Sequence, residues 1–241
     1  MGYEISRAGD LLAANAYPGR GIMVGKSKDG KSLAAAYFIM GRSANSRNRI
    51  FEACGDDVTI YPADASKVED PSLIIYSPVR LLENRLIVTN GDQTDTIYDG
   101  LKEGKRFDEA LESRTFEPDA PNFTPRISAL LELCGSERYQ MSILKAMDQD
   151  GHACARYTYA YQAESGLGHF IHTYMHDGNP LPTFSGEPER VEIPDTAESF
   201  AEELWQNLNA DNRISLYVRY IRIADGVVTA VLKNRFHKTE A

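Results

Sequence analysis

Short β-prone runs, each closed by a proline, glycine or asparagine turn, recur along most of the chain, and this rhythm restricts the fold more than any other feature of the sequence. Residues 22–24 and 33–40 flank a polar turn. Further runs at 57–61, 72–81 and 85–90 are punctuated by Pro62, Pro71 and Pro78. In the second half the runs are 139–147, 153–161 and 169–175, with turns at 148–151 and 176–179. The last two, 214–224 and 227–233, form a hairpin around Asp225-Gly226. Helical spacing is confined to two groups. Ile97 and Leu101, then Phe107, Ala110 and Leu111, predict two short helices split by Gly104. After an irregular stretch marked by Pro118 and Pro121, Thr124-Pro125 predicts a third, with Thr as N-cap, Pro at the first helical position and Ile127, Leu130, Leu131 and Leu133 as its buried stripe. Asp195 and Glu198 resemble a capping box ahead of Phe200, Leu204 and Leu208. Antiparallel runs with helices gathered into groups predict an α+β fold rather than a doubly wound parallel sheet. Two sheets face to face with helices outside give a four-layer αββα sandwich, and a two-layer alternative stays open.

The 241 residues, 42% hydrophobic and 25% charged, fit one globular domain spanning 1–241. With 26 Lys and Arg against 35 Asp and Glu, the net charge of −9 argues against nucleic acid or an anionic membrane as partner. A small anion needs only a few well-placed donors and is not excluded. No apolar run approaches the ~20 residues of a membrane span. The N-terminus carries Glu4, Arg7 and Asp10 instead of a signal segment, so a cytoplasmic location is expected. Cys54, Cys134 and Cys154 form no CxxC pair and are expected to be reduced and mostly buried.

Gly25 to Ser32 matches GxxxxGK[ST], the phosphate-cradling loop, to the letter. Its context is wrong: only Ile22-Met23-Val24 precede it, and the run after it ends in β-prone Tyr37-Phe38-Ile39. A hairpin turn fits better, although Ala34 to Ala36 leave a helix open. The densest basic cluster holds Arg42, Ser43, Arg47 and Arg49, whose guanidinium forks suit a phosphate or carboxylate; the same residues also read as a solvated loop. Asn90 to Thr96 places amides, hydroxyls and the carboxylates of Asp92 and Asp95 at a strand-to-helix junction, where they cap the helix or face a ligand. Arg126, in the first turn of the expected helix, opposes the helix dipole and so calls for an anion, whether a ligand or a surface carboxylate such as Glu117 or Asp119. His169, His172 and His176 share a face only in a helix; in the expected strand, His172 and His176 stand ~13 Å apart, too far for one ion. Tyr157, Tyr159 and Tyr161 read as an aromatic strand face. No GxSxG, HExxH or dinucleotide fingerprint is present.

In order, Tyr17-Pro18-Gly19-Arg20, Gly41-Arg42-Ser43 with the Asn and Arg residues after it, Tyr76, Asn90-Gly91 with Thr94-Asp95-Thr96, Glu117 to Asp119 and Thr124-Pro125-Arg126-Ile127 resemble the archaeal-type IMP cyclohydrolase family. The resemblance covers roughly the first 135 residues and weakens beyond them; the chain is longer than the family pattern near 177–194. It implies an αββα fold similar to the N-terminal nucleophile hydrolases without self-processing, in keeping with a Met1-Gly2 start that offers no nucleophile. The reaction implied is ring closure of 5-formamidoimidazole-4-carboxamide ribonucleotide with loss of water, using no cofactor and no metal. The implied site gives Arg42 and Arg47 to the phosphate or developing oxyanion and Arg126 to a second anion contact. Tyr76 serves as proton donor and Glu117 as base, while Arg20, Ser43, Asn90 and Asp95 bind substrate. The partner expected is a purine ribonucleotide, and homo-oligomerisation is left open. A nucleotide-binding protein without chemistry and an amidohydrolase of another formamide or cyclic amide are the alternatives.

Overall fold

The computed structural model describes residues 4–68, 75–133, 135 and 137–238. Two antiparallel sheets organise it. One runs in the order β11 (Glu189–Glu192), β10 (Leu167–His172), β1 (Arg20–Lys26), β2 (Ser32–Met40), β12 (Arg213–Arg222), β13 (Val228–Asn234). The other keeps chain order: β3 (Ile50–Cys54), β4 (Asp57–Tyr61), β5 (Val79–Leu82), β6 (Arg85–Thr89), β7 (Arg126–Glu132), β8 (Arg138–Ala146), β9 (Cys154–Gln162).

Side-chain alternation along the strands explains how the chain packs. Ile22, Val24, Tyr37 and Ile39 of the first sheet share one buried cluster with Val88, Ile127, Ala129 and Met141 of the second. The opposite faces meet helices. Leu12 of α1 (Ala8–Ala14) and Phe200 and Leu204 of α5 (Ala197–Asn207) pack with Met23, Phe38 and Leu216. Ile97 and Leu101 of α3 (Gln93–Lys102) and Phe107 of α4 (Phe107–Ala110) pack with Ile87 and Leu130. Each such large apolar side chain removed from water contributes about 1.5–3 kcal/mol.

The loop matching the phosphate-cradling pattern is a hairpin turn, as its context required. Ser27 N donates to Ser32 O at 2.9 Å, the Asp29 carboxylate accepts from Ser27 Oγ at 2.7 Å, and β2 follows directly. Ala34 to Ala36 belong to that strand. Because β2 pairs with both β1 and β12 and is covered on both faces, its sequence is apolar throughout instead of alternating.

Thr124-Pro125 does not open a helix. The segment after it is β7, paired with β6 and β8. Ile127, Ala129 and Leu131 face the inter-sheet core while Leu130 faces the α3 side, and an apolar run buried on both faces carries no period that separates strand from helix. Arg126 therefore meets no helix dipole. The N-cap of α5 is Thr196, whose Oγ1 accepts from Ser199 N at 3.2 Å; the Asp195 carboxylate accepts from Asp29 N instead. Of the expected strand at 72–81 only Val79–Leu82 is a strand among the described residues, and 72–74 lie outside them. α1 carried no expectation. Cys54 is exposed and Cys154 half-buried, against the expectation of burial; Cys134 and the Met1-Gly2 start lie outside the described residues. Among the described residues no helix is long and apolar enough to cross a membrane.

Candidate active site

Residues from six separate segments converge where β1 begins, and the fold dictates why. Even-numbered positions of β1 face the second sheet, so Arg20 points toward it as Ile22 and Val24 do. Tyr37 of β2 shares that face and stacks on Phe51, ring centroids 5.5 Å apart. Arg49 stands at the entry to β3, Tyr76 in the segment before β5, Asn90 just beyond β6 and Glu117 in the loop after α4.

Hydrogen bonds order the group. Tyr76 Oη donates its one proton to the Asn90 carbonyl at 2.7 Å, so the contact with Tyr37 Oη at 3.3 Å is one in which Tyr37 donates. A second chain fixes the Glu117 loop. The Asp119 carboxylate accepts from both Thr124 N, at 2.6 Å, and Thr124 Oγ1, at 2.5 Å, which leaves Tyr174 Oη as donor to Thr124 Oγ1 at 2.6 Å. Glu117 N in turn donates to Thr124 O at 2.9 Å.

The charges at the centre are not paired in this way. Nε of Arg20 and Nε of Arg49 are buried without a hydrogen-bond partner. No side-chain hydrogen bond or ion pair of Arg20, Arg49 or Glu117 occurs among the described residues. Burial works against the charge of Arg20, and the field of Glu117, followed by Tyr174, Tyr76 and Tyr37, more than offsets it, so its pKa is raised. Burial and then Arg20 itself lower that of Arg49, though a guanidinium remains charged in any case. Burial raises the Glu117 carboxyl above its ordinary value against the pull of Arg20, Arg126 and Arg49. It likewise raises the Tyr76 phenol against Arg20 and Arg49. Two unpaired guanidiniums beside a carboxyl held toward its protonated form suit an incoming anion or developing oxyanion, with Glu117 in reach for proton transfer.

Of the residues expected from sequence, Arg20, Tyr76, Asn90, Glu117 and Arg126 come together here. Arg126 Nη1 donates to Asp92 Oδ1 at 2.6 Å and Gln93 Oε1 at 2.8 Å, so its carboxylate partner is neither Glu117 nor Asp119. Asn90 holds the frame: its Nδ2 donates to Pro125 O at 2.8 Å and its Oδ1 accepts from Ile127 N and Gln93 Nε2, both at 2.9 Å. Asn90→Ala is expected to cost about 2–5 kcal/mol in urea unfolding, because it strands the Pro125 carbonyl and the Ile127 N–H; a loss under about 1 kcal/mol would show that water replaces the amide.

Arg42, Ser43, Arg47 and Asp95 are engaged with other partners. Arg42 donates to Asp177 Oδ1 at 2.6 Å and to Gly178 O at 2.9 Å, and sits over the Tyr17 ring. Ser43 caps α2 (Ala44–Arg47) by accepting from Ser46 N. Arg47 Nε donates to Gly41 O at 3.0 Å. Asp95 is exposed on α3 and pairs with Arg80 at 2.7 Å. Sequence reasoning missed Arg49 as a site residue although it lay inside the basic cluster, and missed Tyr37 by reading its run as core. A tyrosine in an otherwise aliphatic strand needs a partner for its hydroxyl, which was the available signal.

The three histidines hold separate partners: His169 Nδ1 meets Tyr139 Oη at 2.6 Å, His172 Nε2 meets Glu189 at 3.3 Å and His176 Nδ1 meets Asp177 O. Burial lowers His169 to about 4, which keeps it neutral. Asp148, Asp150 and His152 form the only set of three potential metal ligands among the described residues, on an exposed turn.

The family model described as IMP cyclohydrolase-like protein matches residues 17–226, from the segment before β1 to the turn after β12. A Methanopyrus kandleri protein named IMP cyclohydrolase is 32% identical over 152 residues, which cover 58% of this chain and 75% of that protein. Proteins of the same name from Methanococcus aeolicus and Methanocaldococcus jannaschii are 33% and 34% identical over 48% of this chain. The chain spans only 58% and 57% of the length of those two relatives. Arg20, Arg49, Tyr76, Asn90, Glu117 and Arg126 all fall inside the matched residues, and the chain belongs to the IMP cyclohydrolase-like family.

Proposed function

We propose that this chain is an IMP cyclohydrolase, closing the purine ring of 5-formamidoimidazole-4-carboxamide ribonucleotide. The carboxamide nitrogen attacks the formyl carbon and forms the new C–N bond. The formyl oxygen takes up charge and a first proton to become a hydroxyl; its C–O bond then breaks with a second proton as it leaves as water, while the former formamide N–H is lost and the ring C=N bond forms. The observation that carries this reading is the pair of unpaired guanidiniums, Arg20 and Arg49, beside Glu117 and Tyr76. Donors fixed in advance where charge develops stabilise a transition state without reorganising.

Arg20 and Arg49 take the formyl oxygen as it becomes an oxyanion. Glu117, ionised, accepts the proton of the attacking amide, and Tyr76 supplies a proton to the departing oxygen. For that step Tyr76 redirects the proton now donated to the Asn90 carbonyl, while Tyr37 holds its oxygen in place. Arg42 bonds to Asp177 and Arg47 to Gly41, so this reading gives the oxyanion to Arg20 and Arg49 instead, and Asn90 acts by positioning. Condensation and loss of water require no redox step and no covalent enzyme intermediate, and the reading takes the two guanidiniums, not a metal, as the source of positive charge at the oxygen. It also takes the two sheets and flanking helices as a four-layer αββα sandwich of the N-terminal nucleophile type, acting as one domain without self-processing.

The test is an absorbance assay of inosinate formation from the formylated ribotide, with protein dialysed against a chelator. Turnover undiminished by the chelator is the expected result. Tight inosinate binding without turnover would show a nucleotide-binding protein that lacks the chemistry.

A further inference from the structure

Residues 173–184 leave the end of β10, fold back on themselves and run between the segments that carry Arg20 and Glu117. Phe184 N donates to Thr173 O at 3.0 Å and Met175 N to Pro182 O at 2.9 Å, which closes the two limbs into a strap. The strap begins against the strand of Arg20. Arg20 N donates to Thr173 Oγ1 at 3.1 Å, Thr173 N donates to Arg20 O at 3.0 Å, and Tyr174 N donates to Pro18 O at 3.2 Å. Gly19 permits this approach: a Cβ there would stand 2.2 Å from Thr173 Oγ1 and 2.5 Å from Tyr174 Cδ2, and its φ of +79° is one that side chains disfavour.

The same strap meets the Glu117 loop on its other side. Tyr174 Oη donates to Thr124 Oγ1 at 2.6 Å, Thr124 Oγ1 donates to Asp119 Oδ2 at 2.5 Å, and Thr124 O accepts from Glu117 N at 2.9 Å. Leu181 N adds a bond to Asn122 Oδ1 at 3.1 Å. Thr173, Tyr174 and Thr124 are all buried, so water does not readily replace a partner lost from this chain. By contrast, the outer contact of the strap, Arg42 with Asp177, is 38% and 48% exposed and correspondingly weak. Tyr174 therefore grips the Arg20 strand with its backbone and the Glu117 loop with its hydroxyl, and its ring stacks on Tyr17 at 6.0 Å between the two.

We infer that Tyr174 is a positioning residue that sets the place of Glu117 relative to Arg20, acting through Thr124 and Asp119. The inference rests on the ring closure proposed above. Arg20 arrives on the first sheet and Glu117 on a loop that leads into the second, so neither sheet alone fixes their separation. Ring closure needs the base at the amide nitrogen while the guanidinium holds the formyl oxygen of the same molecule, and a misplacement of about 1 Å between such groups is costly. The Tyr174 hydroxyl is taken up by Thr124 and touches no substrate, so its weight falls on kcat and not on KM.

Steady-state kinetics of ring closure by Tyr174→Phe test it, with amide hydrogen exchange over residues 117–124 followed in the same proteins. Phenylalanine keeps the ring and the backbone contacts and removes one hydrogen bond. The expected result is a fall in kcat of roughly 10- to 100-fold with KM held within about 3-fold. Exchange over 117–124 should quicken roughly 3- to 10-fold while β7 and β8 hold theirs. Thr124→Val cuts the same chain at its middle, so the double variant should lose no more than the worse single one. Thr124→Ser keeps the oxygen, should retain most of the wild-type rate and serves where the valine variant folds poorly. An unchanged kcat in Tyr174→Phe, a loss that falls on KM, or losses that multiply in the double variant overturn the positioning role. Each of these, in a wild type that closes the ring, leaves the cyclohydrolase reading standing. A wild type that never closes the ring sinks that reading, and exchange still judges the tie: quickened exchange over 117–124 upholds it, and unmoved exchange sinks it as well.

Discussion

Glu117→Gln is expected to lower kcat by about 10²- to 10⁴-fold, the usual weight of a general base, and to make the fold more stable at neutral pH. The two effects have one cause. Burial opposes the ionised carboxylate, which has no hydrogen-bond partner among the described residues, and lifts its pKa above the ordinary glutamate value. In the pH window between the unfolded and the raised native pKa, the native state holds more protons than the unfolded chain. Stability therefore falls as pH rises through that window, and the penalty is complete above the native pKa. Glutamine does not titrate, so the difference in Tm in favour of the variant should be absent at acid pH and open as pH rises. The rate of the wild type should climb through the same range, because the base must be ionised. Melting curves and turnover measured from pH 4 to 8 check both. A difference in Tm that stays constant across that range would remove the buried carboxylate from the account.

Arg49→Met is the second large effect, and it too separates activity from stability. The expected loss is about 10²- to 10³-fold in kcat, as for removal of one oxyanion donor. The fold should hold or gain stability, because Arg49 makes no side-chain hydrogen bond among the described residues and faces the like charge of Arg20. An apolar side chain of similar length fills the same space without that repulsion. Urea unfolding beside the turnover assay decides the matter. A clear loss of stability would mean that the guanidinium serves the fold, and unchanged kcat would free it from the chemistry.

Legibility from sequence followed how far each signal depends on distant residues. The helices α3 and α4, separated at Gly104, and the hairpin of β12 and β13 around Asp225-Gly226 followed from local spacing and turn chemistry. The segment after Thr124 misled for a physical reason. Thr-Pro ahead of an apolar run is a sound helix start in isolation, but Thr124 Oγ1 is engaged by Asp119 and Tyr174, and the run continues a sheet between β6 and β8. Thr196 displaced Asp195 as the cap of α5 because Asp195 found a partner, Asp29, far away in sequence.

The site divides along the same line. Arg20, Tyr76, Asn90, Glu117 and Arg126 were legible because they sit in short segments whose order along the chain resembles a family. Within the basic cluster the sequence does not say which arginine faces inward. Arg42 turns out to Asp177 and Arg47 back to Gly41, while Arg49, at the mouth of β3, is buried against Arg20.

By itself the sequence determined the α+β character of the chain, most of its strands and the group of residues from which the site is drawn, because these follow from periodicity, turn residues and residue chemistry. Only the tertiary structure decided which guanidiniums lack a partner and that Asp92 binds Arg114 and Arg126 together. Pairing and burial belong to the space between segments, where a side chain's neighbours come from strands and loops that the local sequence does not name.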